Sequence, residues 1–382
     1  MVVLKLAVLK IGGRIAANNR STTGGVNEVI EICKRLVKYN VDVTFYTKVL
    51  ESDDKIPDVN ILDLNRESLK DINKNNYDLL LVFNGNANFF GGAEDELSIL
   101  NYIVINNYNG KVLYCLTDLN LILKQIHKVI SKKDWSNKYN VDELKIVRDD
   151  IYLVSQAPKN TEIHKKFIKN GINLKKENIH HFPWEMFPAF SLENYNKVFR
   201  PVDLIYGGTF RNGKREKDLI KYYFGYPEDI KVELFGNIQL NQFKNKESTN
   251  LRPPEFSKRL PYKEYIEKTA TGLSSIIIAD SLYKISSMRT TRFFECIRAG
   301  NIIFVDREYY STADFFFSDN ELLGDMCVVD NRDDVVDKIR YFKINTKARN
   351  KFIDLQRETI SFITEDYYYK KLLDILEEIY YA

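Results

Sequence analysis

Asp203-Leu204-Ile205-Tyr206-Gly207-Gly208-Thr209-Phe210-Arg211-Asn212-Gly213-Lys214-Arg215-Glu216 is the stretch whose reading decides the fold. It reads as a buried strand, a tight glycine turn and the first turn of a helix carrying two arginines. That order presents backbone N–H groups and positive charge to a phosphate. Gly208 permits close backbone approach and Thr209 adds a hydroxyl donor. Arg211 and Arg215 are four apart, so once the helix has begun they share one face. Like charges at a helix start oppose each other and the helix dipole unless an anion sits between them. Two guanidiniums there suit a diphosphate, which each can grip bidentately.

Outward from this turn the second half alternates strand and helix. Val202–Thr209 is a strand, 215–223 a helix, 231–236 a strand followed by a short helix, and 247–262 a proline-bearing loop. Residues 265–271 read as helix and 274–279, almost pure Ile and Ser, as a buried strand. A helix over 290–298 and a strand over 301–306 follow, then helices from about 333 to 381. The last helix, with Tyr367, Leu372, Leu373, Leu376 and Ile379 on one side, is expected to return to the first half. The first half begins with a strand over 2–10 and a glycine-bearing connection. A helix marked by Val26, Val29, Ile30, Ile32, Cys33 and Leu36 and a strand at 41–46 complete the unit. Further strands are expected at 77–84, Lys111–Leu116 and 150–157, with a helix near 94–107. A hinge is expected within 183–201, where prolines and aromatics break the periodicity. The expected domains are 1–190 and 200–360, each Rossmann-like, with a cleft at the carboxyl ends of both sheets, and a bracing helix at 361–382.

The chain of 382 residues is long enough for two domains. Its 44% hydrophobic and 29% charged residues are those of a globular protein that does not enter membranes. A net charge of +3 excludes the global signature of a nucleic-acid coat protein, so nucleic-acid contact must come from local patches. Cys33, Cys115, Cys296 and Cys327 show no metal-ligand spacing and read as buried reduced thiols, hence a cytoplasmic setting.

Several positions carry candidate chemistry. Asp118 follows the 111–116 strand, where a carboxylate either faces the ligand crevice or caps the next helix. Gly24-Gly25 stands at a helix start, which either receives an anion or simply needs a sharp entry. Arg292 and Glu295, three apart, suit a phosphate and ribose hydroxyls, or else form a surface ion pair. The lysines of 121–140, including Lys132 and Lys133, and of 159–176, including Lys165 and Lys166, either track phosphates or coat solvated helices. There is no Walker A pattern and no Gly-x-Gly-x-x-Gly after a strand, which lowers the standing of an NTPase or a dehydrogenase. No Asp-x-Asp sits where an essential sugar-nucleotide metal would need it.

The 203–216 stretch closely resembles its counterpart in the bacteriophage DNA β-glucosyltransferases. So do Leu234-Phe235-Gly236-Asn237, Gln242-Phe243-Lys244, Asn88-Phe89-Phe90-Gly91-Gly92 and Leu116-Thr117-Asp118-Leu119. The resemblance runs in order from the first strand to about residue 306. It implies the GT-B fold, UDP-glucose as donor and transfer of glucose, with inversion, to 5-hydroxymethylcytosine in double-stranded DNA. It assigns Asp118 as general base and places the diphosphate on Gly208, Thr209, Arg211, Arg215 and Arg292. The ribose falls on Glu295 and the uracil near Leu260-Pro261-Tyr262. A divalent ion, Mg or Mn, is expected as an aid to UDP departure and not as a requirement.

The chemistry agrees with these roles. A hydroxyl nucleophile needs a base, arginines stabilise departing UDP, and a base within duplex must be flipped out. Asn88, Phe89, Phe90 and the lysines become the expected DNA-facing surface of a monomer in the host cytoplasm. One departure concerns the sugar. The family places a glutamate early in the first helix, where this chain has Gly25, Val26 and, further on, Glu28. A GT-B enzyme with another UDP-sugar or a non-DNA acceptor is therefore the first alternative. An inactive DNA-binding relative is the second.

Overall fold

In the computed structural model the described residues are 4–15, 24–49, 59–84, 107–116, 150–158, 165, 175–210, 214–244, 250–279, 281–317 and 320–382. The chain divides into two compact units. One is Met1–Trp184 with Tyr369–Ala382, the other Glu185–Tyr368.

The first unit holds a seven-stranded sheet: β1 (Lys5–Ile15), β2 (Asp42–Val49), β3 (Asn60–Asp63), β4 (Leu79–Asn84), β5 (Lys111–Leu116), β6 (Ile151–Ser155) and β7 (Ile179–His181). The order is β3-β2-β1-β4-β5-β6-β7, parallel throughout. Apolar runs such as Leu79-Leu80-Leu81-Val82 are buried, as a parallel sheet requires. β1 runs five residues past the expected strand, through Gly12-Gly13, with a register break between Leu9 and Arg14 against β2. The first residues of the expected connection, 11–15, are therefore strand; Gly12-Gly13 tolerate the irregularity.

The second unit holds β8 (Val202–Thr209), β9 (Val232–Asn237), β10 (Glu255–Lys258), β11 (Gly272–Ile277), β12 (Ile302–Asp306) and β13 (Val328–Val329). Its order, β10-β9-β8-β11-β12-β13, is again parallel. The chain leaves β8 for one side and later returns on the other, so the switch point lies between β8 and β11. Ligands of such sheets bind at the carboxyl ends there. Central β11 is wholly buried although it contains Ser274 and Ser275. Their hydroxyls donate to the Asp203 and Ile205 carbonyls at 2.7 and 2.9 Å, so neither is left unsatisfied. The proline-bearing loop expected over 247–262 contains β10, a short half-exposed edge strand that Pro253-Pro254 introduces.

The final helix, Glu365–Tyr381, buries Tyr368, Tyr369, Leu372, Ile375, Leu376 and Ile379, whereas Tyr367 is exposed. The expected stripe of Leu372, Leu376 and Ile379 is buried; Tyr368 and Tyr369 take the inward place expected of Tyr367. Within the first unit Lys111 Nζ donates to the Ile379 carbonyl at 2.8 Å and the Tyr380 carbonyl at 3.3 Å, a cation on the helix's C-terminal oxygens. All four cysteines are buried, and burial pushes every thiol above its ordinary range, which makes them packing groups.

A buried ion pair opens the second unit. Arg289 Nε and Nη2 each lie 3.2 Å from Glu185 Oε1, and Nη1 donates to the Asp314 carbonyl at 3.0 Å. Its guanidinium also covers the Phe316 ring at 4.3 Å. Truncating one member leaves a buried charge alone, which costs about 3–5 kcal/mol. Arg289→Ala should therefore lower the urea midpoint of the second unit by an amount equivalent to that loss, whereas Arg289→Met combined with Glu185→Leu should recover most of it.

Candidate functional site

The site grows from the end of β8. There Tyr206, Gly207, Gly208 and Thr209 pair in register with Leu234, Phe235, Gly236 and Asn237 of β9. The rings of Phe235 and Tyr265 close over Gly207, where a Cβ would lie 2.4 Å from each. Gly236 has φ +113° and a Cβ there would meet the Gly208 carbonyl oxygen at 2.1 Å. The two backbones therefore touch where the strands end, and no side chain fits between them. The chain then continues through Phe210, whose N–H donates to the Asn237 carbonyl at 2.9 Å, toward the helix Lys214–Tyr223.

Beside this turn runs the helix Thr291–Arg298, whose buried residues include Phe293, Phe294 and Glu295. It brings Arg292 to Gly208: a Cβ on that glycine would fall 2.8 Å from Arg292 Nη2. The guanidinium lies 4.3 Å from the Tyr206 ring centroid, a cation–π contact, and its Nε donates to Tyr265 Oη at 3.4 Å. Tyr265 Oη in turn reaches the Gly207 carbonyl at 3.5 Å. One turn further, Glu295 Oε1 accepts from Tyr262 Oη at 3.1 Å, and the Tyr262 and Tyr265 rings are parallel with centroids 6.2 Å apart.

Among the described residues Arg292 forms no ion pair, so the i,i+3 reading of Arg292 and Glu295 does not hold. Three tyrosines engage the two groups instead: Tyr206 and Tyr265 contact Arg292 at the end of β8, and Tyr262 donates to Glu295. Burial pushes the Glu295 carboxyl above the usual carboxylate range, against the opposing pull of Arg292 and the Tyr262 hydroxyl. Leu260 packs beside Tyr265 on a small core of Val202, Ile205 and Phe235. The Pro261 carbonyl accepts from Tyr265 N at 2.7 Å as the helix Tyr262–Thr269 begins. The arrangement can hold an anion on Arg292 and hydroxyl groups on Glu295, with an aromatic shelf beside them.

The structure thus assembles Gly208, Leu260, Tyr262, Arg292 and Glu295 around one strand end, with Thr209 exposed at its tip. Arg215 lies in the first turn of its helix; Arg211 lies outside the described residues. In the first unit Gly25, Val26 and Glu28 lie in the helix Gly24–Lys38, which has no acid in its first turn. Asp118 follows two residues after β5 and is outside the described residues, as are Asn88, Phe89, Phe90, Lys132, Lys133 and Lys166. Lys165 is helical and exposed. No three His, Cys, Asp or Glu side chains gather as a metal site among the described residues, and no described helix is long and apolar enough to cross a membrane. The sequence reading passed over Tyr206 and Tyr265. Their visible signals were an aromatic beside a glycine pair and the i,i+3 repeat Tyr262, Tyr265.

The family model described as Bacteriophage T4 beta-glucosyltransferase matches residues 27–188. The DNA beta-glucosyltransferase of Enterobacteria phage T4 is 26% identical over 300 residues, covering 77% of this chain and 81% of its own. The crystal structure of T4 phage BGT with its UDP-glucose substrate superposes with a TM-score of 0.75 at 22% identity, over 98% of this chain and 99% of that one. T4 phage BGT with UDP and Mn2+ gives 0.77 at 21% identity over 99% of both. An alpha-glucosyltransferase bound to UDP and a 13-mer DNA containing a HMU base gives 0.60 at 13% identity, over 99% of this chain and all of that one. The shared architecture is GT-B, with its two parallel α/β sheets. The motifs, the fold and these likenesses agree: the chain shares the GT-B fold of the T4 phage enzyme, and its residues 27–188 match the bacteriophage T4 beta-glucosyltransferase model.

Proposed function

We propose that the protein is an inverting glycosyltransferase. It moves glucose from UDP-glucose to the hydroxymethyl group of 5-hydroxymethylcytosine in double-stranded DNA. The observation that carries the reading is the tyrosine-held pair Arg292 and Glu295 at the glycine end of β8. It supplies one cation for a diphosphate and one carboxylate for a ribose, in a family whose T4 member is named a DNA beta-glucosyltransferase.

In this reading the second unit holds the donor. Gly208 and Thr209 bring backbone N–H and hydroxyl groups to the diphosphate, and Arg211, Arg215 and Arg292 balance its charge. Glu295 accepts from the ribose, and Leu260 and Tyr262 flank the uracil. The first unit takes the flipped base, with Asn88, Phe89, Phe90, Lys132, Lys133, Lys165 and Lys166 on the DNA side. Asp118 removes the proton from the acceptor hydroxyl as its oxygen attacks the anomeric carbon. The new C–O bond forms as the bond to the β-phosphate oxygen breaks, and the electron pair leaves on UDP, where the arginines receive it. Displacement in line inverts the centre.

A divalent ion is an optional aid to UDP departure, and none of these steps runs through one. The enzyme acts as a monomer in the host cytoplasm. The helix Gly24–Lys38, without an acid in its first turn, favours a second reading in which the same reaction uses another UDP-sugar.

Incubation with hydroxymethylcytosine duplex and a panel of UDP-sugars, followed by digestion and nucleoside mass spectrometry, should give a gain of one hexose from UDP-glucose. A gain from a different sugar selects the second reading, and no gain from any sugar rejects both. Asp118→Ala should lower turnover by about 10²–10⁴-fold while UDP affinity is kept, measured by rate and by calorimetry on one preparation.

Donor affinity should depend on pH through Glu295. Its raised pKa means that it takes up a proton above the ordinary glutamate value of about 4.3, and the protonated form is the poorer acceptor for ribose hydroxyls. UDP binding should therefore weaken on acidification, starting above that value, and Glu295→Gln should flatten the profile. Titration calorimetry at pH 8 to 5 with UDP and its deoxyribose counterpart checks this: the slope should shrink for the latter.

A further inference from the structure

We infer that the Tyr206 hydroxyl is a ligand-binding donor of this site, contacting an anionic oxygen of the diphosphate alongside Arg292. The inference rests on the diphosphate reading above and adds a residue to it. Tyr206 is 1% exposed, and among the described residues its hydroxyl has no hydrogen-bond partner. The phenol packed against it is satisfied. Tyr223, whose ring meets that of Tyr206 edge-on at 5.3 Å, donates to the Ile276 carbonyl and accepts from Ile276 N, at 2.9 and 3.0 Å. A buried phenol left without a partner forfeits its hydration with no return, so one in a native site calls for an explanation.

Its place supplies that explanation. A Cβ on Gly208 would lie 2.8 Å from Arg292 Nη2 and 3.2 Å from Tyr206 Oη, so both groups flank the same point of the turn. Arg292 donates through Nε to Tyr265, and among the described residues its terminal nitrogens show no acceptor. Two donors, one charged and one neutral, converge on a glycine backbone with no acceptor between them. An oxyanion is the chemistry that satisfies both at once. The guanidinium lies over the Tyr206 ring in the free protein. A diphosphate that draws it outward uncovers the hydroxyl beneath, and the ring remains the platform from which Arg292 reaches.

Tyr206→Phe keeps the ring and removes only the hydroxyl, so it is the test. The inference expects opposite signs in two measurements. The free variant should melt no lower than the wild type, because an unsatisfied buried group has been deleted. Its affinity for UDP should fall by roughly tenfold or more, the loss of a hydrogen bond to a charged group, while its affinity for uridine stays unchanged. UDP affinity within twofold of the wild type overturns the inference. So does a fall of several degrees in the melting temperature of the free protein, which would give the hydroxyl a structural role. If the wild type itself ignores UDP, the functional reading falls. Inorganic pyrophosphate then judges the tyrosine alone: equal binding to both proteins, or none to either, overturns it.

Discussion

The contact on which the second unit turns is backbone against backbone. Gly208 and Gly236 meet at the ends of β8 and β9 at a separation that excludes even a methyl group. Because neither strand offers a side chain there, the space beside the turn is filled from the helices, by Arg292 and Tyr265, and from within the strand, by Tyr206. The glycines thus choose which groups surround the strand end. A side chain at Gly208 would displace the arginine, whereas one at Gly236 would part the two strands.

Electrostatics follows from that packing. Arg292 and Glu295 share a helix and could have neutralised each other. Tyrosine contacts keep them separate instead: an aromatic face and a hydroxyl for the cation, a hydroxyl for the carboxylate. A pair that quenched itself would have less to offer a ligand. Held this way, Arg292 stays at the strand end, and the cost of burying both groups is met by polar neighbours too weak to compete with an ionic partner.

Much of this was legible in the residues. Val202–Thr209 and Lys111–Leu116 are strands to the residue, because a continuous apolar run bounded by glycine or polar turns has one reading in a parallel sheet. Arg292 and Glu295 stood out by type and spacing. What escaped notice has common causes. β10 is four residues long, half-exposed and preceded by two prolines, so it has no periodic signature. β1 crosses a glycine pair that elsewhere ends a strand. On the last helix the leucine and isoleucine stripe was legible, but which of the tyrosines at 367, 368 and 369 joins it was not, because three in a row carry no phase. Tyr206 and Tyr265 were legible as core aromatics, but a hydrophobic pattern says nothing of where a phenol's oxygen points.

The final helix has a consequence for how the protein is made. The first unit is built from residues up to Trp184 together with Tyr369–Ala382. The second unit lies wholly between those segments. As the chain leaves the ribosome, the strands of the first sheet emerge before the second unit, yet the piece carrying Leu372, Leu376 and Ile379, whose carboxyl end Lys111 binds, emerges after it. Order of synthesis and order of completion are therefore reversed: the unit begun first is finished second. Until that piece is released, the apolar surface it covers is open to solvent, and a nascent chain paused before Tyr369 has a complete second unit and an incomplete first one.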